Sequence, residues 1–317
     1  MKDFKGKVAV VTGGGTGMGR ELCRQLSREA CHVAMCDMLV ENMAETKSLC
    51  EAEAPSGTTI TTHKCDVSVE RDMQRFRDEV EDSHGPLVNL LFNNAGISGG
   101  GSFLTDERED WEKTFGVCWY GVYYGCRAFV PMLVASEEGH IVNTSSVNGF
   151  WATLGPTVPH TAYSAAKFAV KGFSEALIGD LRVHAPHVGV SVVMPGHIGT
   201  SIALNSGTVL GKTPVLELSE QEVRALRERM MRSSGPETEA IINMSDEQIK
   251  QAMHDQAVRF RDNAPMAASE ASAVILEGVR RNSWRILVGE DAHGLDEKVR
   301  ANPEMAYEPG FWSFDIE

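Results

Sequence analysis

Val8-Ala9-Val10-Val11-Thr12-Gly13-Gly14-Gly15-Thr16-Gly17-Met18-Gly19 is the stretch whose reading decides the fold. Its apolar run is short, valine-rich and stopped by glycine, which describes a buried strand over Val8–Thr12. An amphipathic segment, Gly17–Ala30, follows at once and predicts a helix. Glycines at such a junction let the chain turn sharply and approach a phosphate closely. Free backbone N–H groups and the positive end of the helix dipole then face the negative charge. A glycine cluster alone also describes an ordinary turn; its place between the first strand and the first helix gives it meaning. Gly13, Gly15, Thr16, Gly17, Met18 and Gly19 are therefore candidate dinucleotide-binding residues.

Working outward, apolar runs recur at His32–Asp37, Thr59–Asp66, Leu87–Asn93, His140–Ser145 and Gly189–Pro195. Helical periodicity fills the gaps at Asn42–Ala54, Val69–His84, Glu109–Ala135 and Ala162–His184. Strands buried on both faces and joined by crossover helices make a single α/β domain around a doubly wound parallel sheet. The alternation breaks after Pro195 and returns at a last strand, Arg285–Val288. The expected organisation is one domain over 1–317: a cofactor-binding and catalytic core at 1–197, a helical insertion at 198–266, the last helix and strand at 267–292, and a tail at 293–317. Within the insertion, Ser219 with Glu222 and Ser245 with Gln248 have capping-box spacing and predict two helices. A lid over a site and a plain structural excursion both account for them.

The chain has 317 residues, 42% hydrophobic and 23% charged, with a formal charge of -14. That acidity repels phosphate backbones and anionic lipid, so neither nucleic acid nor membrane is an expected partner. Cysteines 23, 31, 36, 50, 65, 118 and 126 form no CxxC pair and no zinc-type spacing, so no metal site is expected and reduced thiols are. Met1 to Lys7 is polar, and no apolar run approaches the ~20 residues that span a bilayer. The expectation is a cytoplasmic protein.

Asp37 closes the second strand, where a carboxylate can accept hydrogen bonds from both hydroxyls of an adenosine ribose and repel a 2'-phosphate. Neither Thr16 nor Met38 offers positive charge, so NAD is expected over NADP. Tyr163 and Lys167, four apart on a predicted helix, project from one face. A nearby ammonium favours the phenolate and is expected to lower the tyrosine pKa toward a useful acid/base value. Ser146, after the fifth strand, can hydrogen-bond a substrate oxygen, with Ser145 as the competing candidate.

Together these residues resemble the short-chain dehydrogenase/reductase family over about Lys5 to Ala203, with a weaker match near Arg285–Gly289. Thr12 to Gly19 is similar to its TGxxxGxG loop, Asn93-Asn94-Ala95-Gly96 to its NNAG, and Pro195-Gly196-His197-Ile198-Gly199-Thr200 to its PGxxxT segment. The resemblance implies a Rossmann-type fold, with Ser146, Tyr163 and Lys167 as catalytic residues. It also implies that Asp66 and Val67 touch adenine, that Asn93, Ala95 and Gly96 line the cofactor, that Lys167 also holds the nicotinamide ribose, and that Pro195, Gly196, Ile198 and Thr200 surround nicotinamide.

One departure stands out: Cys118 occupies the position, counted from Trp111, where the family usually carries an asparagine that bends the fourth helix and holds a relay water. A thiol bonds more weakly than an amide, which raises the alternative of a weakly catalytic NAD(H)-binding protein. Four extra residues separate Ser146 from Tyr163, and this loop, with Phe150, Trp151, Pro156 and Pro159, is expected to wall a substrate pocket together with Asn148 and His197. Met230, Met231, Met244, Met253 and Met266 suit an adaptable apolar site, as they suit a core. The expected activity is hydride transfer between NAD(H) and a bulky hydrophobic secondary alcohol or ketone, with a cis-dihydrodiol as the other substrate class. The aromatic tail Tyr307–Glu317 is expected to pack on a neighbouring subunit of a homodimer or homotetramer.

Overall fold

The computed structural model describes residues 1–155, 158–233 and 242–312. Seven parallel strands form the central sheet: β1 (Val8–Thr12), β2 (His32–Asp37), β3 (Ile60–Lys64), β4 (Leu90–Asn93), β5 (Gly139–Thr144), β6 (Val188–Pro195) and, last in the chain, β9 (Arg285–Val288). Their spatial order is β3-β2-β1-β4-β5-β6-β9. Side chains alternate across each strand, so β1 sends Val10 into one apolar cluster and Ala9 and Val11 into another on the opposite face. Both faces are covered by helices, which is why the strands read as continuous apolar runs rather than alternating ones.

On one face lie α1 (Gly17–Arg28), α2 (Val40–Glu53) and α10 (Ala268–Arg280); on the other lie α3 (Glu70–His84), α4 (Arg108–Phe115), α5 (Gly121–Val134) and α6 (Thr161–His184). The chain leaves β1 toward β2 and then returns past it to β4, so the order reverses between β1 and β4. In open α/β sheets that reversal opens a crevice at the carboxyl ends of the strands.

Two differences from the expected elements matter. The helix expected over Glu109–Ala135 is interrupted by a π-helical turn, Gly116–Tyr120, in which the Gly121 N–H donates to the Gly116 carbonyl five residues back. Cys118 sits in its middle with its thiol buried. A two-stranded parallel sheet, β7 (Ile198–Gly199) with β8 (Met266–Ala267), brackets the insertion. Between them run α7 (Ile202–Val209), α8 (Glu220–Ser233) and α9 (Asp246–Asp262). Both capping boxes form: the Ser219 N–H donates to Glu222 Oε2 (2.8 Å), and the Ser245 N–H donates to Gln248 Oε1 (2.7 Å).

All seven cysteines are free and buried. Among the described residues no helix is long and apolar enough to cross a membrane, and no group of three or more His, Cys, Asp or Glu is placed to hold a metal ion.

Candidate active site

The crevice at the strand ends is a cleft of about 210 Å³. Its floor is the glycine loop. Gly13 and Gly17 take left-handed backbone conformations (φ +69° and +55°) that favour glycine. Gly19 lies where a Cβ would overlap the Gly13 carbonyl, so the loop packs directly on the first turn of α1. The loop is pinned from β4: Thr12 Oγ1 accepts from the Asn94 and Ala95 N–H groups (3.0 Å each), and Asn94 Nδ2 donates to the Thr12 carbonyl (3.1 Å). Across the cleft, a Cβ on Gly17 would touch Thr200 at 3.0 Å. These close approaches, with the amino end of α1 at the cleft, fit a dinucleotide pyrophosphate.

Asp37 closes the cleft at one end. Its two carboxylate oxygens accept from the N–H groups of Gly15 and Leu39, at 2.9 Å each. Burial pushes its carboxyl up, partly offset by these backbone bonds. Among the described lining residues, Lys167 is the only Lys or Arg. Arg20, at the base of the loop, is engaged with the Gly15 carbonyl (2.8 Å) and Glu45 (2.6 Å). Asp66 pairs with Lys113 and accepts from Ser68 Oγ (2.6 Å), and its carboxyl sits below the ordinary aspartate value: burial raises it, and the bonds from Lys113 and Ser68 outweigh that. Asp66 and Val67 both line the cleft.

At the other end Tyr163, in the first turn of α6, and Lys167, one turn on, meet Ser146 from the end of β5. Ser146 stands beside the Tyr163 phenol and holds its pKa down, and Ser146 Oγ accepts from the Asn148 N–H (3.1 Å). Ser145 points the other way and donates to the Lys167 carbonyl (2.7 Å), which leaves Ser146 as the serine that meets the phenol. Lys167 Nζ donates to the Thr144 carbonyl (2.8 Å) and lies 5.3 Å from the Tyr163 ring centroid. Burial lowers the Lys167 pKa.

The direction of the Tyr163 shift is opposite to the lowering expected from a nearby ammonium. Burial, followed by the neighbouring Cys118 thiol, pushes the Tyr163 phenol up, and Ser146 offsets only part of this. The lysine ammonium stands toward the ring rather than at the hydroxyl, so its charge does not compensate. Cys118 Sγ donates to the Ile97 carbonyl (3.3 Å), beside Gly96, whose Cβ position would lie 3.7 Å from Lys167 Nζ and 3.9 Å from the thiol.

Gly13, Thr16, Gly17, Met18, Asp37, Asp66, Val67, Ala95, Gly96, Pro195, Gly196, Ile198 and Thr200 line the same cleft as Ser146, Tyr163 and Lys167. Gly15, Gly19 and Asn93 are not among its lining residues. Asn93 is buried, and its Nδ2 donates to Asn143 Oδ1 (2.8 Å), tying β4 to β5.

The expected substrate wall is placed elsewhere. Asn148 Nδ2 donates to the carbonyls of Trp151 (3.0 Å) and Thr153 (2.8 Å), which holds the loop closed on itself. Trp151 is buried against Leu295, Ala306 and Phe311, with Nε1 donating to the Ala306 carbonyl (2.7 Å), and Phe150 packs beside it. The loop and the C-terminal segment are thus each other's packing partner within one chain. Pro156, and Phe314 of the tail, lie outside the described residues. His197 turns to Phe260, its ring 4.3 Å away. Met230, Met244 and Met253 pack with Val223, Leu226 and Ile249 between α8 and α9, and Met266 packs on the main core, so these four are core rather than cleft.

Several lining residues were not anticipated. Ile97, Val117, Ile202, Val209 and Phe260 supply an apolar wall, and Asn205 Nδ2 donates to Thr16 Oγ1 (3.2 Å) from α7 across to the glycine loop. His160, at the N-cap of α6, packs against Tyr163 with ring centroids 4.6 Å apart and the rings tilted by 33°, and burial lowers its pKa to about 4. Its place just ahead of the tyrosine was the only available signal.

A sheet with its glycine turn at the strand-order reversal, facing a tyrosine and a lysine one helical turn apart, defines a dinucleotide-binding oxidoreductase fold. A family model described as short chain dehydrogenase matches residues 7–210. The Mycobacterium tuberculosis oxidoreductase SadH is 36% identical over 300 residues, 95% of this chain and 92% of SadH. A short chain dehydrogenase/reductase from Burkholderia phymatum, solved in complex with NAD, matches with a TM-score of 0.74 at 27% identity, covering 98% of each chain. A metagenomic short-chain oxidoreductase, solved in complex with NADP, matches with a TM-score of 0.54 at 32% identity over 61% of this chain and 83% of that one. The chain belongs to the short-chain dehydrogenase/reductase family and is an oxidoreductase of that family.

Proposed function

We propose that this protein transfers hydride between NAD(H) and a bulky, hydrophobic secondary alcohol or ketone, with Tyr163 as the acid/base. The observation that carries this is the convergence of Tyr163, Ser146 and Lys167 on the cleft that the glycine loop and Asp37 also line. Nicotinamide, when bound, supplies the hydride donor or acceptor. The glycine loop would hold its pyrophosphate, Asp37 the adenosine ribose, Lys167 the second ribose, and Ile198 and Thr200 the carboxamide.

In the reductive direction Tyr163 gives its hydroxyl proton to the carbonyl oxygen, and Ser146 donates a hydrogen bond to the same oxygen as negative charge develops. In the oxidative direction the tyrosine must first be phenolate, and it takes the alcohol proton. Asp37, with no Lys or Arg other than Lys167 among the described lining residues, supports NAD over NADP. The apolar wall of Ile97, Val117, Ile202, Val209 and Phe260 supports a hydrophobic substrate.

The test is nicotinamide absorbance with purified protein, NADH or NADPH, and a panel of bulky apolar ketones. Ketone-dependent loss of NADH signal is the expected result. NADH binding with no turnover across the panel would favour a binding protein in which the Cys118 thiol, bonded to the Ile97 carbonyl, leaves a proton relay incomplete.

A further inference from the structure

His160 holds a position that the fold leaves without a structural bond. It is the N-cap residue of α6, where Ser, Thr, Asp or Asn commonly bonds the first free N–H groups, and its side chain makes no such bond. The Gly101 and Gly100 carbonyls take that role, accepting from the N–H groups of Thr161 (2.9 Å) and Ala162 (3.1 Å). The imidazole is left out of the cap, and the residue is only 8% exposed. Among the described residues nothing bonds its ring nitrogens, and neither is sealed from solvent. A polar ring buried to this degree costs free energy unless a hydrogen-bonding group meets it.

Helix geometry points to what that group is. His160, Tyr163 and Lys167 are spaced by three and four residues, so they lie along one face of α6. Lys167 stands one turn after Tyr163 and bonds the Thr144 carbonyl (2.8 Å) in the wall of the dinucleotide cleft. His160 stands one turn before it and outside that wall, its ring centroid 4.6 Å from that of the phenol. The row runs from cofactor to reacting oxygen to imidazole. A substrate that gives its carbonyl oxygen to Tyr163 and Ser146 and extends away from the cofactor passes the polar edge of His160. Burial lowers the imidazole pKa to about 4, so at neutral pH one ring nitrogen donates and the other accepts. A neutral ring of this kind suits a hydroxyl or ether oxygen, which satisfies it without bringing charge into a buried place.

We infer that His160 is a specificity-determining residue that hydrogen-bonds a second, uncharged oxygen on the carbon next to the substrate's carbonyl. The substrate class is then an α-hydroxy or α-alkoxy ketone with a bulky apolar remainder. This rests on the reading of the cleft as a ketone site with Tyr163 as the acid. With the two rings in contact, oxygens on adjacent carbons can reach the phenol and the imidazole together.

The probes are para-acetylbiphenyl and its α-hydroxy and α-methoxy derivatives, which share one apolar body and differ only beside the carbonyl. NADH oxidation gives kcat/KM for each with full-length wild type, His160→Phe and His160→Gln. The ratio of the α-hydroxy ketone to its parent should be about three- to tenfold higher in wild type than in His160→Phe, the size of one neutral hydrogen bond. His160→Gln, which keeps an uncharged donor and acceptor, should recover most of that difference. A ring that merely packs on the tyrosine would change all three rates alike and leave the ratios equal. Nitrogen NMR of histidine-labelled wild type with NAD⁺ and each probe reads the contact without turnover. The α-hydroxy ketone should shift the His160 ring signals, assigned by their loss in His160→Gln, and the parent ketone should not. Should His160→Phe fail to fold, His160→Leu and the NMR comparison decide the matter. Equal ratios in wild type and His160→Phe, or NADH oxidation without a His160 shift, overturn the inference alone. A His160 shift without NADH oxidation overturns the ketone-reductase reading and keeps the contact; neither signal with any probe overturns both.

Discussion

Replacing Asp37 by alanine should change which dinucleotide the protein prefers, and the structure sets the size of the change. The carboxylate accepts two backbone N–H bonds, from Gly15 and Leu39 at 2.9 Å each, and has lone pairs left for ribose hydroxyls. Losing a charged acceptor from a ribose is worth about 1.5–3 kcal/mol, so NADH affinity should fall roughly 10- to 100-fold. For NADPH the opposite term operates. A carboxylate about 5 Å from a phosphate repels it by about 3 kcal/mol per unit charge at an effective dielectric constant of about 20, and an open cleft leaves on the order of half of that. Relief of this repulsion should narrow the NADH/NADPH preference by about tenfold or more. Fluorescence titration of both cofactors against wild type, Asp37→Ala and Asp37→Asn measures it directly. The asparagine keeps the volume and one acceptor oxygen, so it separates charge from loop collapse. An NADH/NADPH ratio unchanged in both variants would refute the assignment of Asp37 to the ribose.

Gly19→Ala should abolish dinucleotide binding while leaving the sheet folded, because its methyl group would overlap the Gly13 carbonyl; circular dichroism with NADH titration checks both halves. With burial raising Tyr163 above the ordinary tyrosine value, the difference in phenolate ultraviolet absorbance between cofactor-free wild type and Tyr163→Phe should be absent below about pH 10. A phenolate already present at pH 8 would contradict that direction. His160, held neutral down to about 4, should add no inflection to the rate between pH 5 and 9; a step near 6.5 that disappears in His160→Phe would contradict it. Trp151→Phe, which removes the donor to the Ala306 carbonyl and leaves the ring, should cost about 1–3 kcal/mol of stability in denaturant unfolding and expose the C-terminal segment to protease first.

Much of the fold was legible in the sequence because valine runs stopped by glycine or aspartate leave few alternatives: β1, β2 and β9 have the bounds read from the chain. The ends of β3 and β4 were less legible. The Val88 N–H, for example, bonds the Met132 carbonyl instead of a neighbouring strand, which no local pattern records. A π turn at 116–120 is also silent in the sequence, since apolar spacing shows a helix continuing and not which carbonyl each N–H reaches. The strands at Ile198–Gly199 and Met266–Ala267 are too short to leave a period.

The candidate site divides in the same way. Tyr163 and Lys167 were readable because a helix fixes their common face, and the choice between Ser145 and Ser146 was not, because it turns on a bond to the Lys167 backbone. Phe150 and Trp151 misled because an aromatic in a loop names no partner; theirs, Ala306 and Phe311, lie about 155 residues away along the chain. The methionine stripe suited both a pocket and a core, and spacing alone does not choose between them: Met230, Met244 and Met253 join a core that the insertion has of its own.

The central claim is that the Tyr163 hydroxyl moves a proton in a cleft that binds a dinucleotide. Its most direct measurement is ketone-dependent NADH oxidation by wild type and Tyr163→Phe, with NADH affinity determined for both. The account predicts affinity within a few-fold and a loss of kcat of about 10²- to 10⁴-fold in the variant. A Tyr163→Phe protein that binds NADH and turns over at the wild-type rate would contradict it.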